Sequence, residues 1–503
     1  MTEKILVMLP NNLGDVLMAC PVVEALKNKY PDSHITFFVE EGFEGGLENS
    51  RFCDRIFRFN RKAIRNAART RDWQKALDAL RETVASLGGF DRVINLSQHP
   101  YVAFVVSLLS CKDTVGQEFL RAGNHAVNDK WSQYLYAIPF ARRYNRLHAT
   151  DIYRKIAGAG LANQRSCEPV TFLDEERAAA EKFLTDQGRS AIGWDHTKPI
   201  MILQPGAAIA SKRWPIEHFI ALGKLLVGDG YRIVVTGAPA EVDLAKALAA
   251  QLKTATIVTA GLISFRQTIA ILPSVQGCVT GDTAIMHAAA LLGRRVYALF
   301  GSTSPVETGP YGEGHCVFAG RCTNRPCFCA ECKTHLCMRS ILPEDVHAVI
   351  QGLSYANAHC DIYRTSFDTS GLFTCKPVLQ KGVPYYDTDG AEISRRIVEP
   401  EYIPQVTEKS LDLIRESDRF CEALDSLSTD LLEYAQQHDP AAIRRYEEAR
   451  KNLSGEDING FWSAMLNLRL NSVPLIDAEA AVRKSIEICM TTKSDIKDAT
   501  TFA

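Results

Sequence analysis

The chain has 503 residues, 46% hydrophobic and 23% charged, with a formal net charge of −2. That length carries roughly two to four domains with full cores, and the near-neutral balance argues against nucleic acid as a partner. No run of about 18 apolar residues occurs, which argues against a transmembrane helix, and the start lacks the charged-then-apolar build of a secretory leader, so the reading is cytoplasmic.

Residues 5–9 form a short apolar strand. Pro10-Asn11-Asn12-Leu13-Gly14-Asp15 is a turn, and Val16, Leu17, Val22, Val23 and Leu26 mark one face of a helix over about 16–29. Tyr30-Pro31-Asp32 ends it, and 34–39 is the next strand. In such a sheet the ligand crevice lies beyond the carboxyl ends of the strands, so Gly14 and Asp15 stand at its mouth. The plainer role for Asp15 is a helix N-cap. Residues 61–75 carry Arg61, Lys62, Arg65, Arg69, Arg71 and Lys75 against one acid, Asp72. This is a solvated helix face, or a patch for a phosphorylated or membrane-bound acceptor. Strands follow at 91–96 and 114–116, and a helix over 148–159, with a structural His148, closes the first half.

Residues 166–199 are a connector with an acid-rich helix over 174–187. Strand 200–204 opens a second unit. Pro205-Gly206-Ala207 turns, Ser211-Lys212-Arg213-Trp214-Pro215 follows, and a helix spans 217–227. Further strands are expected at 231–236, 256–258 and 275–279, with helices at 241–252 and 265–272. Thr280, Gly281, Asp282 and Thr283 then break an apolar run. A small-residue helix spans 284–292, Gly293 stops it, and 296–300 is a second run. That is a right-handed crossover unit of a parallel sheet. Its turn aims backbone N–H groups and a positive helix end at a ligand phosphate. Asp282 there is poorly placed for phosphate but well placed for sugar hydroxyls, unless it merely caps the helix.

The class is therefore α/β, with domains over 1–165 and 200–352 joined by the connector, and the cleft between them is the expected ligand site. Beyond 352, residues 356–400 are aromatic without a clear period. Residues 411–437 carry an apolar helical stripe, Phe420, Leu424, Leu427 and Leu431, and further helices are expected at 440–452 and 478–490. The expectation over 353–503 is a mostly helical extension of open role.

Fifteen cysteines in a cytoplasmic chain are expected as thiols or metal ligands, not disulfides. Cys329-x-x-Cys332, with Cys327 and Cys337 close by, has the spacing of a structural zinc or iron site; the alternative is a set of thiols without metal.

Asn12-Leu13-Gly14-Asp15-Val16-Leu17, Pro205-Gly206-Ala207, Lys212-Arg213-Trp214-Pro215, Gly281-Asp282-Thr283 with His287, Leu299-Phe300-Gly301-Ser302-Thr303-Ser304-Pro305 and Thr308-Gly309-Pro310 occur in an order that resembles glycosyltransferase family 9, the ADP-heptose:lipopolysaccharide heptosyltransferases. The stretch holding Pro326, Cys327, Phe328, Cys332, His335, Cys337 and Met338 resembles the heptosyltransferase II branch. Asn11 and Asn12 stand where many members carry small or basic residues, and Ala284 where glycine is frequent.

The resemblance implies a GT-B architecture: two Rossmann-like domains facing each other, the first for the acceptor and the second for the nucleotide sugar. It implies metal-independent, inverting transfer of heptose from ADP-heptose to a hydroxyl of a lipopolysaccharide inner-core acceptor, with no cofactor needed for catalysis. Asp15 would be the general base. Lys212 would neutralise the leaving ADP, helped by amides of residues 281–283. Asp282 would hold heptose hydroxyls, with Gly206, Gly281, Thr283 and Thr303 as further donor contacts. Arg61, Lys62 and Arg65 would meet a lipid-linked acceptor at the inner face of the inner membrane. The same fold admits a protein hydroxyl as acceptor. A sugar-nucleotide epimerase is disfavoured by the Lys212-Arg213-Trp214-Pro215 motif. A non-catalytic sugar-nucleotide-binding assembly protein is disfavoured by the joint presence of Asp15, Lys212 and Asp282.

Overall fold

The computed structural model describes residues 2–119, 125–127, 129–140, 142, 145–160, 169–322, 325–355, 358–368, 371–379 and 488. Two sheets organise them. The first has the order β3-β2-β1-β4-β5-β6, with β1 Lys4–Met8, β2 His34–Glu40, β3 Arg55–Phe59, β4 Phe90–Asn95, β5 Cys111–Phe119 and β6 His125–Val127. The pairs through β5 are parallel and β6 returns antiparallel. The second runs β14-β13-β12-β11-β10-β7-β8-β9, with β7 Ile200–Gln204, β8 Arg232–Val235, β9 Thr256–Val258, β10 Gly277–Gly281, β11 Arg295–Phe300, β12 Cys316–Ala319, β13 Asp361–Phe367 and β14 Phe373–Leu379. Its central pairs, from β12 to β9, are parallel.

Parallel strands covered on both faces need apolar residues on both faces. Ile5, Leu6, Val7 and Met8 of β1 are all fully buried, as are Ile202, Leu203, Cys278 and Val279 of β7 and β10. Leu6, Met8, Phe38, Phe59 and Val93 fill one side of the first sheet. Met201, Leu203, Trp214, Phe219 and Ile233 fill the outer side of the second. The remaining sides join in one core, because helix α1 (Leu13–Lys29) lies against the Ala284–Leu291 helix. Gly14 permits that approach: a Cβ there would stand 3.3 Å from the His287 ring.

Polar contacts also tie the halves together. His148 Nε2 lies 3.0 Å from the Gly309 carbonyl, and the Tyr311 hydroxyl donates to Asp151 at 2.6 Å. Asp151 also accepts the Phe373 N–H at 2.8 Å. Burial pushes the Asp151 carboxyl up to about 6, and those two donors work against the rise.

Several features differ from expectation, and strands β3, β6 and β12 were not among those expected. The expected strand at 114–116 is the centre of the nine-residue β5. The second sheet also runs past residue 352, where a helical extension was expected: β13 and β14 are antiparallel strands added to its edge. Of the aromatic residues without a clear period, Tyr363, Phe367 and Phe373 belong to this ribbon. Tyr363 is fully buried, and Phe367 and Phe373 pack on Tyr311. The helices expected at 411–437 and 440–452, and that at 478–490 apart from Ile488, lie outside the described residues. Among the described residues no helix is long and apolar enough to cross a membrane.

Candidate functional site

The site lies where the carboxyl ends of β1, β7 and β10 face each other. After β1 the chain passes Asn11 to Asn12, which occupies the N-cap of α1. Asp15 is thus the third residue of the helix, neither the N-cap nor part of the preceding turn. Its Oδ2 accepts from the Asn12 backbone N–H at 3.3 Å and from the Asn12 side-chain amide at 3.2 Å.

From the other half, Lys212 arrives at the end of a short 3-10 turn, Ala210–Lys212. β10 ends at Gly281, and Thr283, not Asp282, takes the N-cap position of the next helix. This releases the Asp282 side chain into the gap, where Oδ2 meets Lys212 Nζ at 2.7 Å. His287 Nε2 stands 3.8 Å from the other carboxylate oxygen.

Asp15, Lys212 and Asp282 line one cleft of about 530 Å³. Asn11, Asn12, Gln98, His99 and Arg142 contribute from the first half, and Ser302, Thr303, Glu307, Phe328 and Cys329 from the second. Opposed electrostatics divide the carboxyl groups. Burial raises the proton affinity of Asp15; the Asn12 hydrogen bonds oppose this, and Asp282 adds to it. For Asp282 burial acts in the same direction, but it is outweighed by Lys212, His287 and the Thr303 hydroxyl, which hold it below the usual carboxylate range. Burial lowers His287 to about 4, so the ring is neutral at neutral pH.

The other expected donor contacts separate. Thr303 lines the cleft and bonds Asp282. Thr283 does not: its hydroxyl is held by Gln204 at 2.8 Å and Thr280 at 2.9 Å, at the sheet end. A Cβ at Gly281 would stand 3.0 Å from the Lys212 carbonyl, so this glycine sets how closely the two loops meet. A Cβ at Gly206 would overlap the Glu241 carboxyl, which accepts from the Ala238 N–H at 2.8 Å and from Gln204 at 3.3 Å.

Arg61, Lys62 and Arg65 lie on helix α2 (Arg61–Arg69), outside the cleft. Arg61 pairs with Glu40 at 2.8 Å, and its guanidinium lies 5.8 Å from the Tyr101 ring centre. Tyr101 stacks on His99 of the cleft wall, so the patch adjoins the site without entering it. Lys62 and Arg65 are exposed.

As placed, the four cysteines do not come together as the zinc or iron site that their spacing allowed. Among the described residues no group of three or more His, Cys, Asp or Glu side chains is placed to hold a metal ion. The Cys327 sulfur lies 3.2 Å from that of Cys329, which lines the cleft, and the Cys332 sulfur accepts the His335 N–H at 3.3 Å. Cys337 is buried in the outer core against Gly301. The loop is held by backbone contacts instead. Ser211 N–H donates to the Ala330 carbonyl at 3.2 Å, and the Cys337 carbonyl lies so close to Gly320 that no side chain fits there.

Glu307 was not anticipated from the sequence. It is buried, and burial raises its proton affinity against the pull of Arg142 and Asn145. Both stand 3.3 Å away, from the first half of the chain. Arg142 also lies 4.0 Å over the Phe328 ring. The only sequence signal was an acid in the first turn after Ser304-Pro305.

Residues 79–337 match the family model described as glycosyltransferase family 9 (heptosyltransferase). Lipopolysaccharide heptosyltransferase 3 of Escherichia coli is 21% identical over 309 residues, 61% of this chain and 85% of that protein. Lipopolysaccharide heptosyltransferase 2 of Escherichia coli K12 is 32% identical over a shorter match of 118 residues, 22% of this chain and 34% of that protein. Among solved structures, a glycosyltransferase family 9 protein from Veillonella parvula aligns with a TM-score of 0.50 at 23% identity, covering 61% of this chain and 83% of that one. The E. coli ADP-heptose lps heptosyltransferase II aligns with a TM-score of 0.50 at 20% identity, covering 69% and 98%. The two facing sheets are thus the expected GT-B architecture.

Proposed function

The chain belongs to glycosyltransferase family 9, and from that premise we propose that it is an inverting heptosyltransferase, moving heptose from ADP-heptose to a hydroxyl of a lipopolysaccharide inner-core acceptor. The observation that carries this reading is the shared cleft, with Asp15 from one half facing the Lys212–Asp282 pair from the other. In this reading residues 1–165 receive the acceptor, 166–199 connect, and 200–352 hold the donor.

The acceptor hydroxyl gives its proton to Asp15 as its oxygen attacks the anomeric carbon. The bond to the β-phosphate oxygen breaks on the opposite face, and ADP leaves with the electron pair. Lys212 and the backbone N–H groups of residues 281–283 meet the charge that develops on the diphosphate. A fixed ammonium supplies this charge, so the reading needs no metal or cofactor. One displacement inverts the anomeric configuration. The donor must draw Lys212 away from, or share it with, Asp282, whose freed oxygen then accepts from sugar hydroxyls. Glu241, beyond the carboxyl ends of β7 and β8, stands where such folds place an acid for ribose hydroxyls.

The test is ADP release from ADP-heptose. Release with a heptose-deficient lipopolysaccharide core supports the reading, and release only with protein acceptors moves the acceptor to a polypeptide hydroxyl. No release with either, together with no rise in melting temperature on adding ADP-heptose, overturns it.

The acceptor is proposed to reach the cleft from an anionic inner-membrane surface, past α2. Arg61 is already committed to Glu40, so the exposed Lys62 and Arg65 make the cleaner test. Replacing both by Ala is expected to raise the acceptor KM several-fold, more so at low salt, with donor KM unchanged. A donor KM that rises instead refutes the assignment.

A further inference from the structure

We propose that Asn12 is a positioning residue for the transfer: its side chain clamps one oxygen of Asp15 and leaves the other to take the acceptor's proton. This rests on the reading of Asp15 as the base. An asparagine at an N-cap ordinarily accepts a hydrogen bond from an N–H in the first helical turn. Asn12 has the extended backbone of an N-cap, φ −115° and ψ 159°, and Asp15 at the third helical position forms a capping box with it by accepting its backbone N–H, yet the Asn12 side-chain oxygen makes no bond to the first turn. Its amide Nδ2 instead donates to Asp15 Oδ2 at 3.2 Å, and its own backbone N–H reaches the same oxygen at 3.3 Å. Two donors from one residue converge on a single carboxylate oxygen. Oδ1 makes no direct hydrogen bond among the described residues, and both Asn12 and Asp15 line the cleft.

The side-chain amide adds two things to the capping box. It fixes the rotation of the carboxylate, because both donors sit on one side of it. It also stabilises the charged form of a group that burial pushes towards the neutral one. A general base has to be ionised before it can accept a proton, so an exposed amide at the cleft edge keeps Asp15 competent at neutral pH.

The experiment compares wild type with N12A, N12S, D15N and N12A/D15N. Activity is ADP release from ADP-heptose with a heptose-deficient lipopolysaccharide core, followed across pH, and ADP binding is measured separately. N12A is expected to lower kcat at neutral pH on the order of tenfold, as loss of one hydrogen bond to a charged group would. The acid limb of its rate profile moves to higher pH, and ADP affinity stays unchanged. N12S keeps a donor and recovers part of the loss. A loss of helix capping alone would lower stability without moving the limb.

An N12A profile that superimposes on that of wild type overturns the proposal, provided D15N is inactive. Near-normal turnover of D15N instead refutes the base reading on which it stands. Wild type, N12A, D15N and N12A/D15N also form an activity-free thermodynamic cycle. Ionised Asp15 is the form that needs Asn12. The interaction between the two positions, read from melting temperatures, should therefore grow as pH rises through the Asp15 titration. Additivity at every pH overturns the proposal even if no acceptor turns over.

Discussion

Replacing Asp15 with Asn is expected to lower kcat by about 10²- to 10⁴-fold, the usual contribution of a positioned general base, while ADP-heptose still binds. The asparagine keeps the shape of the side chain and its place in α1, but it takes no proton at neutral pH. Donor affinity should survive because the donor half presents its own charges, Lys212 and Asp282, held to each other at 2.7 Å. Stability should not fall. Burial raises the proton affinity of Asp15, so its ionisation is resisted in the folded state. For a carboxyl raised in this way, stability is greatest below the unfolded-state value and is lost as pH rises through the folded-state value. D15N has no such loss and should melt at or above wild type at neutral pH. Turnover within a few-fold of wild type removes the base assignment. Inactivity accompanied by loss of ADP-heptose binding shows a broken site, not a missing base.

The parts of this site that were legible in the sequence share a physical cause. A fully buried parallel strand must be apolar on both faces, so β1, β7 and β10 announce themselves, and each is followed by a turn at the crevice. Asp15, Lys212 and Asp282 could be named from the motifs after those strands. The start of α1 was harder to read, because Leu13-Gly14 carries little helical signal. Gly14 is set by its neighbour instead: His287 leaves room for nothing larger without shifting.

Glu307 was invisible for a related reason. Its partners Arg142 and Asn145 are more than 160 positions away, and no local pattern encodes that meeting. Thr283 shows how far a motif reaches. It follows Asp282 in the motif, yet its hydroxyl is spent on Gln204 and Thr280. The cysteine spacing left metal ligands and plain thiols both open, since it cannot show that Cys337 sits in an apolar core while Cys329 lines the cleft. Strands β3, β13 and β14 gave the weakest signal. β3 reads Arg-Ile-Phe-Arg-Phe with only Phe59 buried, and β13 and β14 lie beyond the boundary set at residue 352.

Replacing Lys212 should cost both catalysis and stability, and a second substitution at Asp282 should separate the two. Lys212→Ala removes the cation facing the departing diphosphate, and kcat is expected to fall about 10²- to 10³-fold, as for loss of one preorganised electrostatic group. It also strands Asp282, whose side chain is 7% exposed against 21% for Lys212. Breaking a buried pair costs about 3–5 kcal/mol when the remaining charge stays buried. The partial exposure of Lys212 and the nearby Thr303 hydroxyl bring the expected cost below that range. Asp282 is held below the usual carboxylate range, burial being outweighed by Lys212, so the pair's stabilisation is present above that range and lost as pH falls through the lowered value. In the alanine variant Asp282 takes up a proton at higher pH, and the deficit should shrink on acidification.

Adding Asp282→Asn to the Lys212→Ala variant removes the stranded charge, so the melting temperature should recover while turnover does not. Lys212→Arg keeps the charge but spreads it over a planar group that the Asp282 pocket was not built to receive, so it should recover only part of the rate. If the double variant regains turnover together with stability, Lys212 serves only to neutralise Asp282, and the charge that meets the leaving diphosphate must come from elsewhere in the cleft.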